Sequence, residues 1–431
     1  LMFVPDSRLV SLPAASVAGT FLVATLVSWN LPAVAQAEPA AASYETIPRF
    51  GGTSSVGVTL RDDALGRSAD WKSALDGYFA WKGRVKEDAG LAFSADYTAM
   101  LQRADASLGE DRAAGGILRF FGSWGLSGQG TANTGNLVYK LESRHNLGGE
   151  LAPKNLGFEI GYARFTAPVY ADSNSAQTKM DCQRKIGDAG FNLIGGVVDV
   201  TDYLGVYGLI NPWTSFSNLA FLTDPTIPAP NQGLGAAAGW FASENIYLLG
   251  GIADTNGDPS QPDEFVDSFF DTGEYFTHFE LGWTSSADRV YLDNVHLTYW
   301  HADERVDAAT PDGWGLAFSA ATFIDEQWMP FLRAGYADEG GALYERSLSV
   351  GLGRYHANSK NLAAIGLNWS QPSESSFGPD LDDQFTLEMY YRWQITPQIA
   401  LTPDLQWIAN PALNPEESSI WVAGLRVRLA L

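Results

Sequence analysis

From Gln384 to Ile395 polar and apolar side chains alternate one by one. Phe385, Leu387, Met389, Tyr391, Trp393 and Ile395 fall on one face, and Gln384, Thr386, Glu388, Tyr390, Arg392 and Gln394 on the other. A period of two is the signature of a β-strand, whose successive side chains point to opposite sides of the sheet. The pattern recurs along the chain. Ile399, Leu401, Leu405 and Trp407 oppose Thr402, Asp404 and Gln406, and Trp421, Leu425, Val427, Leu429 and Leu431 oppose Arg426 and Arg428. Upstream, Phe279, Leu281 and Trp283 oppose His278 and Glu280, Leu137, Tyr139 and Leu141 oppose Lys140, Glu142 and Arg144, and Leu118, Phe120 and Trp124 oppose Arg119 and Ser123.

A soluble β-sandwich also alternates, so the arrangement of the apolar face has to separate the two. Here aromatic residues gather toward segment ends (Tyr391, Trp393, Trp407, Trp421), as in the interfacial girdles of membrane barrels. Connections are also unequal. Thr396-Pro397-Gln398 is short, whereas 254–273 and 370–382 are long, acidic and rich in Gly and Pro. After residue 37 no run of about 20 apolar residues occurs, which argues against helical spans. Aromatic residues make up 13% and charged residues only 18%, a balance that suits a barrel with a lipid-facing side and equally a secreted soluble β-sandwich or β-helix. At about 10 residues per strand plus connections, Gly90 to Leu431 suits about 16 strands. The fold class expected is all-β, a transmembrane antiparallel β-barrel. Trp71, Leu75, Tyr78, Phe79, Lys82 and Val85 recur at helical spacing and predict a short amphipathic helix before it.

The amino-terminal stretch from Leu9 to Ala37 carries no charge. It has an apolar core at Val17–Val27 and ends in Ala35-Gln36-Ala37, the small-x-small pattern of a signal peptidase site. The expected organisation is therefore a signal peptide over 1–37, a flexible lead-in over 38–69 with one short strand near Val56–Leu60, and the barrel over 70–431. Export is expected to end in the outer membrane of a Gram-negative cell.

Other function classes find little support. A net charge of −23 excludes general nucleic-acid binding, which needs an excess of Lys and Arg. The single Cys182 rules out an intramolecular disulfide and argues against a Cys-based metal cluster. Asp254-Thr-Asn-Gly-Asp258 has the look of a calcium loop, but Pro259 and Phe265 stand where such a loop needs Gly and Glu, so it reads as an acidic external loop. G-x-S-x-G, H-E-x-x-H and P-loop motifs are missing, and no enzyme activity, metal or cofactor is expected.

Several stretches together resemble a known family. They are Glu388–Gln406, with one Leu-Thr-Pro-like end of a strand and a second at the start of the next, Asn410-Pro411, Asn414-Pro415, Gly424–Arg428, Leu141–His145, Asp199–Pro230 with Phe216–Ala220, Gly233–Ala236, Gly251–Asp254, Asp70-Trp71 and Gly90–Tyr97. In these the chain resembles the carbohydrate-selective (OprB-type) porins. The resemblance implies a single-domain barrel through which sugars diffuse passively, with outer-membrane lipid and lipopolysaccharide as surroundings and room for a homo-oligomer. Strand parity offers Arg119, Lys140, Glu142, Arg144, Glu388, Arg392, Asp404, Arg426 and Arg428 as pore-lining or constriction residues. Such side chains replace water around sugar hydroxyls and set a transverse field. A channel for another small solute, such as an organic anion, and a barrel hydrolase are the alternatives.

Overall fold

The computed structural model describes residues 75–148, 151–187, 191–356, 361–396 and 398–431. The signal-peptide, lead-in and early-strand expectations fall outside these residues, as does Trp71. A helix, α1 (Asp76–Ala89), precedes the first strand and ends on Gly90, whose φ of +68° is the left-handed conformation that glycine adopts without strain.

Sixteen strands follow. They are β1 (Leu91–Ala104), β2 (Arg112–Ser127), β3 (Gly135–Asn146), β4 (Asn174–Ile186), β5 (Phe191–Val198), β6 (Gly233–Phe241), β7 (Ile246–Asp254) and β8 (Tyr275–Thr284). Then come β9 (Asn294–Ala302), β10 (Gly313–Ala321), β11 (Trp328–Glu339), β12 (Tyr344–Tyr355), β13 (Leu362–Pro372), β14 (Gln384–Gln394), β15 (Ile399–Ala409) and β16 (Ser419–Ala430). Each pairs antiparallel with its chain neighbours, and β1 pairs with β16, from Asp96 opposite Ala430 to Ala104 opposite Val422. The sheet is therefore a closed barrel. Closure satisfies every strand edge, the condition for a sheet to stand in lipid.

The wall is inside out relative to a soluble protein. Large apolar side chains on the outer face are the exposed ones, among them Phe279, Leu281, Leu297, Leu367 and Trp393, the last 52% exposed. Buried positions on the inner face hold Arg119, Glu142, Glu280, Arg333, Asn368, Glu388, Gln406 and Arg426. The alternation read along β14, β15 and β16 thus sorts side chains between lipid and lumen.

The two rims differ. Connections after even-numbered strands, such as 242–245 and 395–398, are short, and those after odd-numbered strands include 147–173, 199–232 and 255–274. Outward tryptophans follow the rims. Trp124, Trp240, Trp283 and Trp393 lie at the short-turn ends of β2, β6, β8 and β14, while Trp407 and Trp421 meet at the long-loop ends of β15 and β16 with ring centroids 6.4 Å apart. α1 sits at the short-turn rim, where Trp81 packs edge-on against Phe93 and the Lys82 Nζ donates to the Leu431 carbonyl at 3.1 Å.

Candidate functional site

Two of the long-rim connections do not stay at the rim. Residues 151–173, which include helix α2 (Pro153–Glu159), and residues 199–232 fold into the barrel. The second carries Val206, Tyr207, Leu209, Ile210, Phe216, Phe221 and Leu222, an apolar set without strand periodicity. All are buried in one cluster with the inward side chains Phe241, Tyr247, Phe331 and Tyr390. Phe216 stands edge-on to Tyr390 at 5.1 Å and to Phe331 at 5.8 Å. The first segment makes a smaller cluster, with Leu156, Ile160 and Tyr162 against Ile408, Ile420 and Val422. Glycines make the close approach feasible. A Cβ on Gly335 would lie 2.1 Å from Thr226 Oγ1, and one on Gly366 would lie 2.6 Å from the Phe221 ring.

Irregular backbone at membrane depth must find hydrogen-bond partners or line a cavity. The inner wall supplies them. Glu388 accepts from the backbone N–H groups of Ser217 (2.6 Å) and Asn218 (2.9 Å). Arg426 donates to the carbonyls of Pro212 (2.6 Å) and Ser215 and to Ser217 Oγ. Arg392 donates to the Thr214 carbonyl at 3.2 Å. Gln406 joins both segments. Its amide nitrogen donates to the Thr166 carbonyl at 3.1 Å, while its oxygen accepts from Asn218 Nδ2 at 2.9 Å. Asp404 in turn accepts from Gln406 at 3.0 Å. The bonds donated by the arginines contribute about 1.5–3 kcal/mol each and the others about 0.5–1.5 kcal/mol, so the polar wall anchors the segment tip.

The remaining candidates form ion pairs on the side where β16, β1, β2, β3 and β4 run together. Arg119 makes a bidentate contact with Asp96, while its guanidinium lies 4.0 Å from the Trp213 ring centroid. Arg428 binds the same carboxylate at 2.7 Å. Arg144 pairs with Glu142 through Nε at 3.0 Å. Lys140 reaches Asp199 at 3.3 Å, and Lys179 reaches Asp202 at 2.9 Å. Burial pushes the Asp202 carboxyl up, but the ammonium groups of Lys140 and Lys179 outweigh it and hold this acid below the usual carboxylate range. So all nine predicted residues point inward. Glu388, Arg392, Asp404 and Arg426 gather at the tip of the 199–232 segment, and Arg119, Lys140, Glu142, Arg144 and Arg428 form the ion-paired belt.

Parity could not indicate which inward residues matter most to that arrangement. Asp96, Lys179, Asp202, Trp213, Asn218 and Arg333 stand out only through their partners in the structure, and Arg333 donates to the Gly205 carbonyl at 3.0 Å. One signal was available. A connection of this length with so many aromatic and aliphatic residues is unusual unless it has a buried place to go. Among the described residues no group of three or more His, Cys, Asp or Glu side chains could hold a metal ion.

Residues 310–431, which build β10 to β16, match the family model described as "Carbohydrate-selective porin, OprB family". The chain resembles the OprB-type porins. In fold, its barrel is similar to OprB of Pseudomonas putida in the high-pH structure, with a TM-score of 0.63 at 14% identity over 82% of this chain and 97% of that one. The low-pH structure of the same protein matches with a TM-score of 0.49 and 12% identity, covering 84% and 100% of the two chains. A curated relative, "Putative porin QuiX" of Acinetobacter baylyi, is 38% identical over 55 residues, or 13% of this chain. The matched stretch spans only 12% of the length of that relative. The OprB-type likeness is thus one of sequence in the carboxyl-terminal strands and of fold around the whole barrel.

Proposed function

We propose that this chain is an outer-membrane channel through which sugars diffuse passively. The observation that carries the reading is the family match over 310–431, in strands that turn Glu388, Arg392, Asp404, Gln406 and Arg426 toward the lumen. The inner face supplies what a sugar path requires, namely donors and acceptors that replace water around hydroxyls without holding the solute tightly. On β3, Arg144 offers a partly open fork of donors suited to vicinal hydroxyls, held in place by the buried Glu142 carboxylate behind it.

Liposomes carrying the purified barrel should swell in isotonic glucose, and sugar should block its ion current. Losing one hydrogen bond costs about 0.5–1.5 kcal/mol, so Arg144→Ala should weaken that block severalfold without abolishing it. Unchanged block would place the Glu142–Arg144 pair outside the sugar path. Absence of any conductance, with hydrolysis of a lipid or peptide in its place, would favour a barrel hydrolase.

The reading includes export through a signal peptide cleaved after Ala37. Intact-mass measurement on outer-membrane material should find a chain beginning near Glu38. A full-length species held in the inner membrane would contradict this.

A further inference from the structure

The inner wall treats its two signs of charge differently. The acidic side chains that the strands direct inward, Asp96, Glu142, Asp181, Glu280, Glu388 and Asp404, are all buried. Of the inward cations, Arg119, Lys179, Arg333 and Arg426 are buried as well, while Lys140, Arg144, Arg392 and Arg428 keep part of their surface open. Within single ion pairs the order is plain. Arg144 is 19% exposed against 1% for Glu142, Arg428 17% against 1% for Asp96, and Lys140 16% against 7% for Asp199. In these three the carboxylate sits behind and the cation in front, whereas in the Lys179–Asp202 pair the acid is the more open partner, 11% against 5%. Arg392 adds to the set from β14, on the same inner wall as Arg426 and Arg428, and the three repel one another.

We infer that the open faces of these cations make the lumen a path for sugar acids, solutes that combine one carboxylate with several hydroxyls, in preference to neutral sugars of equal size. This deepens the channel reading and rests on it. A lumen walled by low-dielectric protein focuses the field of the charges that face it, so the exposed sign decides which counter-ion concentrates there. The buried acids matter as well. Glu142, Asp96 and Asp199, each paired with an open cation, offset part of its charge at a distance and leave a modest local field. That suits a singly charged solute, which must leave as readily as it arrives. The hydroxyls of such a solute meet the open faces of the same side chains.

The rest of the chain carries the opposite sign. The 255–274 connection has Asp258, Asp263, Glu264, Asp267 and Asp271, and four of these five are exposed, with Asp258 partly so. These acids stand at the long-loop rim and oppose approaching anions. Screening over about 8–10 Å at ordinary salt shortens their reach far more than that of cations within the barrel. Anion preference should therefore strengthen as salt rises from low to physiological strength.

The test uses the full barrel in planar bilayers under a potassium chloride gradient, and in liposomes swelling in gluconate or glucose. The reversal potential should report chloride preferred over potassium, and gluconate should enter several-fold faster than glucose. In the triple variant Lys140→Gln, Arg144→Gln, Arg428→Gln, checked for folding by heat-modifiable migration, both preferences should vanish. Should that variant not fold, the wild-type reversal potential and swelling ratio still decide. A silent bilayer overturns the channel reading and this inference together. An open channel that prefers potassium, or that admits glucose as fast as gluconate, overturns this inference alone.

Discussion

Replacing Glu388 and Arg426 together by alanine is expected to give a barrel that still assembles but conducts more current, with strong open-channel noise. These two side chains hold the tip of the 199–232 segment through the N–H groups of Ser217 and Asn218 and the carbonyls of Pro212 and Ser215. At about 1.5–3 kcal/mol per bond from Arg426 and about 0.5–1.5 kcal/mol per bond to Glu388, the double variant removes several kcal/mol from one short stretch. Every 1.4 kcal/mol is a tenfold change in the balance between seated and displaced segment. Opposing this, Phe216 and Phe221 stay buried against Phe331 and Tyr390, and each such ring contributes about 1.5–3 kcal/mol. The two sums are comparable, so the segment should fluctuate between seated and displaced positions and not leave altogether. Single-channel recording reads this directly. Conductance and noise equal to wild type would mean that the apolar cluster alone seats the segment.

The second large effect concerns the outer wall. Leu297 is 47% exposed near the middle of β9, between Leu281 on β8 and Phe318 on β10. Leu297→Arg should cost about 2–4 kcal/mol and sharply lower the folded fraction seen by heat-modifiable migration. Trp407→Arg, at the long-loop end of β15, should cost only about 0–1 kcal/mol because the side chain can reach the interface. Gln406→Ala, one residue away and facing inward, should leave the wall assembled while cutting the links to Thr166 and Asn218. Equal folding of Leu297→Arg and Gln406→Ala would show that the facing is wrong.

Much of the wall was legible in the residue order. The alternation in Phe385–Ile395 became β14 with Phe385, Met389, Tyr391 and Trp393 exposed and Gln384, Thr386 and Glu388 buried. The helix expected from Leu75, Tyr78, Phe79, Lys82 and Val85 became α1, and the strand estimate of about 16 matches the closed barrel. Parity likewise placed all nine charged candidates on the inner face. It could not separate Glu388 and Arg426, which bind backbone and are sealed from solvent, from Arg144 and Arg428, which keep an open side. Nor could it find the partner Asp96, whose two arginines lie 23 and 332 residues away in the chain.

By itself, then, the sequence determined the strands, the side of the wall each residue takes and the closure they imply. These follow from a local rule, the two-residue period of extended backbone set against lipid on one side and water on the other. Only the tertiary structure decided that residues 151–173 and 199–232 turn into the lumen, and hence which inward charges are spent on holding them. Phe216 meets Phe331 and Tyr390, and Tyr162 meets Thr386, across separations in the chain that no local pattern records. The apolar content of the 199–232 segment required burial, but where it could be buried depended on the shape of a barrel that did not exist until its strands had closed.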